Sequence, residues 1–225
     1  MAGYKLIKEN GILTTNMIVE IQQIVKQNNA GIRKQVGTVL KNDKTGEVIY
    51  MPPGNEKTIR NLMKNLEDYI NEKSNVDPLI KMAVAHYQFE AIHPFYDGNG
   101  RTGRIINILH LVMNNLLDSP ILYLSKYILN NRSEYYKTLQ NITENNDWES
   151  WIIYVLKGIQ KTSKDSIQLL KKINSLINKR IFTNPEDSSI FLSRNPIGSH
   201  LTPDSFADSA KHTAFNKNTM IKKLI

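Results

Sequence analysis

His93-Pro94-Phe95-Tyr96-Asp97-Gly98-Asn99-Gly100-Arg101-Thr102-Gly103-Arg104 gathers a histidine, a carboxylate, three glycines, an amide and two guanidiniums into one short stretch. No apolar face can be drawn through it, so burial does not account for its composition. On the upstream side, residues 77–90 read as a helix, with Asp77 suited to the N-cap and Pro78 to the first helical position. On the downstream side, Ile105, Ile106, Ile108, Leu109, Val112 and Met113 make an apolar helical run that continues to about Leu117. The stretch is therefore a loop between two buried helices, running into the N-terminus of the second.

That placement has chemical consequences. A helix N-terminus offers unpaired N–H groups and the positive end of the helix dipole. Glycines at 98, 100 and 103 would let those groups approach an anion closely. Arg101 and Arg104 lie three apart on one helical face and suit phosphate oxygens through their planar forks. Asp97 supplies a hard oxygen ligand for a Mg²⁺ otherwise held by phosphates, and it also suits a turn before Gly98. His93 is the group here able to take a proton near neutral pH. An anion cradle, a cation ligand and a base together describe a site for phosphate-ester chemistry.

His-x-Phe-x-Asp-Gly-Asn-Gly-Arg-x-x-Arg resembles the signature of the Fic family of protein-modifying enzymes. The likeness spans roughly residues 10 to 180, taking in Val36 to Pro53, the lead-in Ala85 to Ile92, Tyr123 to Tyr136 and Trp148 to Trp151. It implies a mainly α fold, a Fic-type helical bundle with a small β-hairpin flap. It implies an enzyme, a nucleotidyltransferase that moves AMP from ATP onto a Tyr, Thr or Ser hydroxyl of a target protein, with His93 as general base. Gly98, Asn99, Gly100, Arg101, Thr102, Gly103 and Arg104 would bind the nucleotide, Asn99 on the side of the α-phosphate. Asp97 would hold Mg²⁺, and Tyr135 and Tyr136 would lie near the nucleoside, although both also read as helix-packing residues. The flap, about residues 36–53, would hold the target segment by main-chain pairing through Val48, Ile49 and Tyr50.

Two departures sharpen this reading. The related Doc branch, which phosphorylates its target, has lysine where this chain has Gly100. The glycine favours the ATP orientation in which the α-phosphate meets the hydroxyl. Many Fic proteins also carry an inhibitory Ser/Thr-x-x-x-Glu-Gly/Asn helix. The Glu-Asn pairs here, Glu9-Asn10 and Glu144-Asn145, have Lys5 and Gln140 four residues ahead of the glutamate, so the pattern is absent. Restraint would come from a separate inhibitory protein, from another mechanism, or from an element lost from this chain. Reversal, which depends on the inhibitory glutamate, ranks low. Alternatives on the same scaffold are transfer of UMP, phosphocholine or phosphate, and a non-catalytic module that binds nucleotide or nucleic acid.

Composition sets the outer bounds. The 225 residues suggest one domain with a short appendage: a catalytic domain over residues 1–182 and an irregular tail over 183–225. The absence of cysteine excludes a disulfide scaffold and a thiolate metal site, and permits a reducing cytoplasm. No stretch is apolar enough for a transmembrane helix, and Met1 to Asn10 lacks the core of a signal peptide. A net charge of +8 is spread over scattered lysines, which reads as a solvated face, so nucleic acid is not expected as a partner. A cytoplasmic location is expected, and homo-oligomerisation is left open.

Hydrophobic period places the remaining elements. Thr14, Thr15 or Asn16 caps a first helix, with Ile18, Ile21, Ile24 and Val25 on one face. Val36, Thr38 and Leu40 alternate, a turn follows over residues 42–46, and Val48-Ile49-Tyr50 resumes before Pro52-Pro53: a hairpin. Residues 56–71 form a second helix with Leu62, Met63, Leu66, Tyr69 and Ile70 inward. Two shorter helices over 124–129 and 132–144 follow. A long one from Trp148 to about Asn178 has a stripe of Trp151, Ile152, Val155, Leu156, Ile159, Ile167, Leu170 and Ile173. Phe95 reads as a core anchor beneath the loop, and His86 and His110 as structural histidines.

Overall fold

The computed structural model describes residues 4, 7, 9–34, 40, 41 and 48–183. Its helices are α1 (Thr15–Lys26), α2 (Glu56–Asn71), α3 (Pro78–Ile92), α4 (Asn99–Met113), α5 (Leu124–Asn130), α6 (Arg132–Asn145) and α7 (Trp148–Thr183). Between α1 and α2, the short strands β1 (Leu40–Lys41) and β2 (Val48–Tyr50) pair antiparallel, Leu40 opposite Tyr50 and Lys41 opposite Val48. The residues joining them, and the 184–225 tail, lie outside the described residues. The protein is mainly helical.

Local chemistry starts these helices where the sequence says it should. Thr14 caps α1 by accepting from the Met17 amide, Asn55 caps α2 by accepting from Thr58, and Asp77 caps α3 ahead of Pro78. In α2, Ile59, Met63, Leu66 and Ile70 recur at helical spacing and are buried. Helix α3 is buried on nearly every side and packs against α2, α4 and α7, which makes it the central element. The indole of Trp151 on α7 is fully buried; it donates to the Ala83 carbonyl of α3 at 2.8 Å and stacks on His86. Tyr135 and Tyr154 complete this aromatic knot.

Several boundaries and faces differ from the sequence reading. Ile24 is 66% exposed, because it stands roughly 120° round α1 from Ile18 at 100° per residue. Helix α4 stops at Met113 rather than near Leu117. Asn115 takes a left-handed φ of 54°, and the Leu116 amide folds back to the Leu111 carbonyl, which closes the helix. Helix α7 runs to Thr183, past the expected end, yet its stripe fades: Ile167 and Leu170 are half-buried and Ile173 is exposed. Its 36 residues make a rod of about 54 Å, whereas the 14 residues of α6 beside it reach about 21 Å.

His86 and His110 are both buried, and burial pushes their imidazoles down, to about 3 and about 4. Each is therefore neutral in the fold but takes a proton near pH 6.5 once unfolded. Their contribution is full above that ordinary value and is lost as pH falls through the range between it and the depressed folded values. Thermal melting followed from pH 7 to pH 4 is expected to show a steady fall in Tm, shallower in a His110→Asn variant.

Candidate active site

Helix α3 delivers His93 as its own C-cap, in the left-handed conformation (φ 47°, ψ 58°), with the His93 amide still bonded to the Phe89 carbonyl. This abrupt end turns the chain out of α3 and lifts the imidazole to the head of the loop. The half-buried ring has Nδ1 inside, so Nε2 is the nitrogen offered to a substrate. Burial lowers the His93 imidazole below its ordinary value; the Glu90 carbonyl works the other way, and the Arg33 charge adds to the lowering. The ring is therefore neutral and base-competent at pH 7, and stays so to lower pH than an exposed histidine.

Arg33, which the sequence reading missed, fixes this corner. Its side chain is fully buried. Nε donates to the His93 carbonyl at 2.7 Å, and one terminal nitrogen donates to the carbonyls of Pro53 at 2.5 Å and Ile92 at 3.3 Å. The Arg33 amide bonds the Pro94 carbonyl, and Ile32 bridges to Phe95, so residues 32 and 33 run along the loop as a brace. Phe95 is wholly buried beneath, as expected of an anchor.

Asn99 clamps the loop from the other end. Its side-chain amide donates to the Phe95 carbonyl at 2.7 Å and accepts from the Phe95 amide at 2.9 Å. Both ends of that side chain are committed to the Phe95 backbone. Gly98 caps α4 with φ 89°, and a Cβ there would meet Lys26 Cγ at 2.9 Å, so glycine is required on both counts. The first bond of the α4 ladder runs from the Thr102 amide to the Gly98 carbonyl. Ahead of it, the amides of Asn99, Gly100 and Arg101 point out of the helix start, a ready-made anion cradle.

Thr102 and Gly103 sit within the ladder and are buried. Gly103 serves packing rather than anion approach: a Cβ there would stand 2.7 Å from Glu90 Oε1 and 3.0 Å from Phe89 Cδ1, so it lets α4 press against α3. Glu90 is a second group that sequence did not flag. Burial raises its carboxyl to about 7, against the opposing pull of the Arg104 charge. Arg104 donates through Nε to Ser125 Oγ at 2.9 Å, which aims its fork across Gly100, where a Cβ would lie 3.2 Å from the guanidinium. Arg101 is exposed and reaches the Val25 carbonyl at 3.3 Å.

Asp97 is 65% exposed; Oδ1 accepts from the Gly98 amide at 2.5 Å and Oδ2 pairs with the Lys26 ammonium. The Lys26 contact, then the Gly98 amide, hold the carboxyl below its ordinary range. Among the described residues no group of three or more His, Cys, Asp or Glu gathers to cage a metal. A single exposed carboxylate already facing a cation, beside an anion cradle, fits Mg²⁺ held mainly through a ligand's phosphates.

The remaining expected contacts separate. Tyr135, grouped with the nucleotide contacts by resemblance, lies in the core: its hydroxyl bonds His86 Nε2 at 3.0 Å and its ring packs on Trp151. Protein surrounds it, so it is a packing residue. Tyr136 is 41% exposed, its ring edge-on to Tyr135 and beneath the Arg132 guanidinium. Tyr50 on β2 is half-buried, while the side chains of Val48 and Ile49 fall outside the described residues.

Residues 12–111 match the family model described as the Fic/DOC family. The chain is 31% identical over 150 residues to protein adenylyltransferase fic-1 of Caenorhabditis elegans, covering 61% of this chain and 27% of that protein. It is 39% identical over 70 residues to a probable protein adenylyltransferase of Aquifex aeolicus, covering 31% of this chain and 22% of the relative. The chain thus spans about a quarter of the length of the curated relatives it matches. Among solved structures, a Fic family protein from Desulfovibrio desulfuricans G20 superposes with a TM-score of 0.62 at 23% identity, over 75% of this chain and 51% of that one. The C. elegans fic-1 fragment superposes with a TM-score of 0.56 at 23% identity, over 76% and 50%. These likenesses establish the fold.

Proposed function

We propose, on the match of residues 12–111 to the Fic/DOC family model and on the site's geometry, that the chain is a protein adenylyltransferase, moving AMP from ATP onto a Tyr, Thr or Ser hydroxyl of a target protein. The observation that carries this reading is the pairing of His93 with the open α4 N-terminus: a neutral, braced imidazole at one end of a short loop and unpaired amides at the other. The names of the matched relatives support the same reaction.

In this mechanism His93 Nε2 takes the proton of the target hydroxyl as its oxygen attacks the α-phosphorus. The bond from that phosphorus to the diphosphate breaks, and the diphosphate leaves. The amides of Asn99, Gly100 and Arg101, with the Arg104 fork, bind the phosphate oxygens and stabilise the charge that develops on them. Mg²⁺ held by Asp97 would supply charge neutralisation on the leaving group. A Cβ on Gly100 would press on the Arg104 guanidinium at 3.2 Å, so the glycine gives that fork room to reach the phosphates. The target's segment lies along β2, where Val48, Ile49 and Tyr50 offer an edge for main-chain pairing. No helix among the described residues is long and apolar enough to cross a membrane. We place the activity in the cytoplasm, where ATP and Mg²⁺ are abundant, with restraint supplied by a separate protein.

Arg104→Ala removes a charge-assisted phosphate contact, typically worth about 1.5–3 kcal/mol. ATP affinity, read by calorimetry with Mg²⁺ present, is expected to weaken by roughly tenfold or more while Tm changes little. Unchanged affinity would remove Arg104 from the phosphate grip. The reaction itself is tested by peptide mass spectrometry of a cell lysate treated with the protein and ATP: AMP is expected on Tyr, Thr or Ser side chains. A UMP, phosphocholine or phosphate adduct instead would overturn the choice of donor.

A further inference from the structure

The last turn of α1 closes over the mouth of the loop. Gln22 Nε2 donates to the Asp97 carbonyl at 3.0 Å, Lys26 Nζ pairs with Asp97 Oδ2, and Arg101 donates to the Val25 carbonyl at 3.3 Å. The Lys26 stem crosses directly over Gly98, the N-cap of α4, close enough that a Cβ on Gly98 would collide with it. The side chain of Lys26 is 26% exposed and that of Asp97 65%, so the ammonium is the more sheltered partner. It occupies the carboxylate oxygen that points away from the Gly98 amide. Two cations cannot share that oxygen without strong mutual repulsion at such short range. Lys26 lies far outside the loop motif and nothing in the mechanism above uses it.

We propose that Lys26 is a tethered counter-ion that competes with Mg²⁺ for Asp97, so that the metal loads only by displacing the ammonium. This rests on the reading of Asp97 as the metal ligand. The pair also explains how an exposed carboxylate at a cation-poor moment is kept in place: Lys26 and the Gly98 amide hold both oxygens, so Asp97 stays aimed at the cradle.

Titration with Mn²⁺ in the presence of a non-hydrolysable ATP analogue, read by the enhancement of water-proton relaxation that marks protein-bound Mn²⁺, tests both levels. Lys26→Met keeps the stem and removes the charge, and it is expected to tighten Mn²⁺ binding by about two- to fivefold, the range of a partly exposed ion pair. Lys26→Arg keeps the charge and is expected to stay near the wild-type affinity. Asp97→Asn is expected to abolish the site. Equal or weaker Mn²⁺ binding by Lys26→Met, with Asp97→Asn still abolishing it, overturns the competition. Wild-type Mn²⁺ binding by Asp97→Asn overturns the metal reading itself, and the competition falls with it. Thermal melting of each variant confirms that the fold is kept.

Discussion

His93→Ala is expected to lower the rate of AMP transfer by about 10²–10⁴-fold, the usual contribution of a positioned general base, while leaving Tm and ATP affinity close to those of the parent. The effect falls on turnover because the imidazole side chain makes no contact on which the fold depends; the backbone of His93, not its ring, accepts from Arg33. Its pH profile carries a second expectation. Since burial lowers the imidazole, the acidic limb of the parent's rate profile should lie below the ordinary histidine value, with activity lost as pH falls through it. A limb above the ordinary value would mean that a different group supplies the base.

The second large effect is expected at Arg33. Arg33→Met keeps much of the volume but leaves the buried carbonyls of His93, Pro53 and Ile92 without their donor. Each orphaned buried acceptor costs roughly 1–3 kcal/mol, so a loss of about 3–5 kcal/mol in unfolding free energy is expected by urea titration. Activity should fall even well below the melting point, through kcat rather than KM, because the guanidinium fixes where α3 ends and hence where the imidazole stands. Arg33→Lys should recover only part of either loss, since an ammonium cannot reproduce the planar fork. Normal stability for Arg33→Met would show that the brace does not depend on these bonds.

How legible the protein was follows the reach of its interactions. Helix α2 could be read almost residue by residue, because Ile59, Met63, Leu66 and Ile70 obey a local period and Asn55 caps locally. The loop could be read because its chemistry is dense in sequence. Arg33 could not be read: it meets the loop across some sixty residues of chain, and an arginine beside a lysine carries no pattern that distinguishes a buried brace from a surface charge. Lys26 was hidden for the same reason, its partner lying 71 residues on. Gly103 was misread because a glycine near a helix start serves close approach to an anion or to another helix equally well, and only the position of Phe89 and Glu90 decides. The exposure of Ile173 on α7 shows the converse limit, since a stripe can continue in sequence after the helices beside it have ended.

Two parallel reactions test the central reading most directly: the protein, cell lysate and Mg²⁺ with ATP labelled at either the α- or the γ-phosphate, and His93→Ala as the blank. The expected result is protein label from α-labelled ATP alone, absent with the variant. Label from γ-labelled ATP alone would contradict it, showing a nucleotide seated the other way round and a kinase in place of an adenylyltransferase.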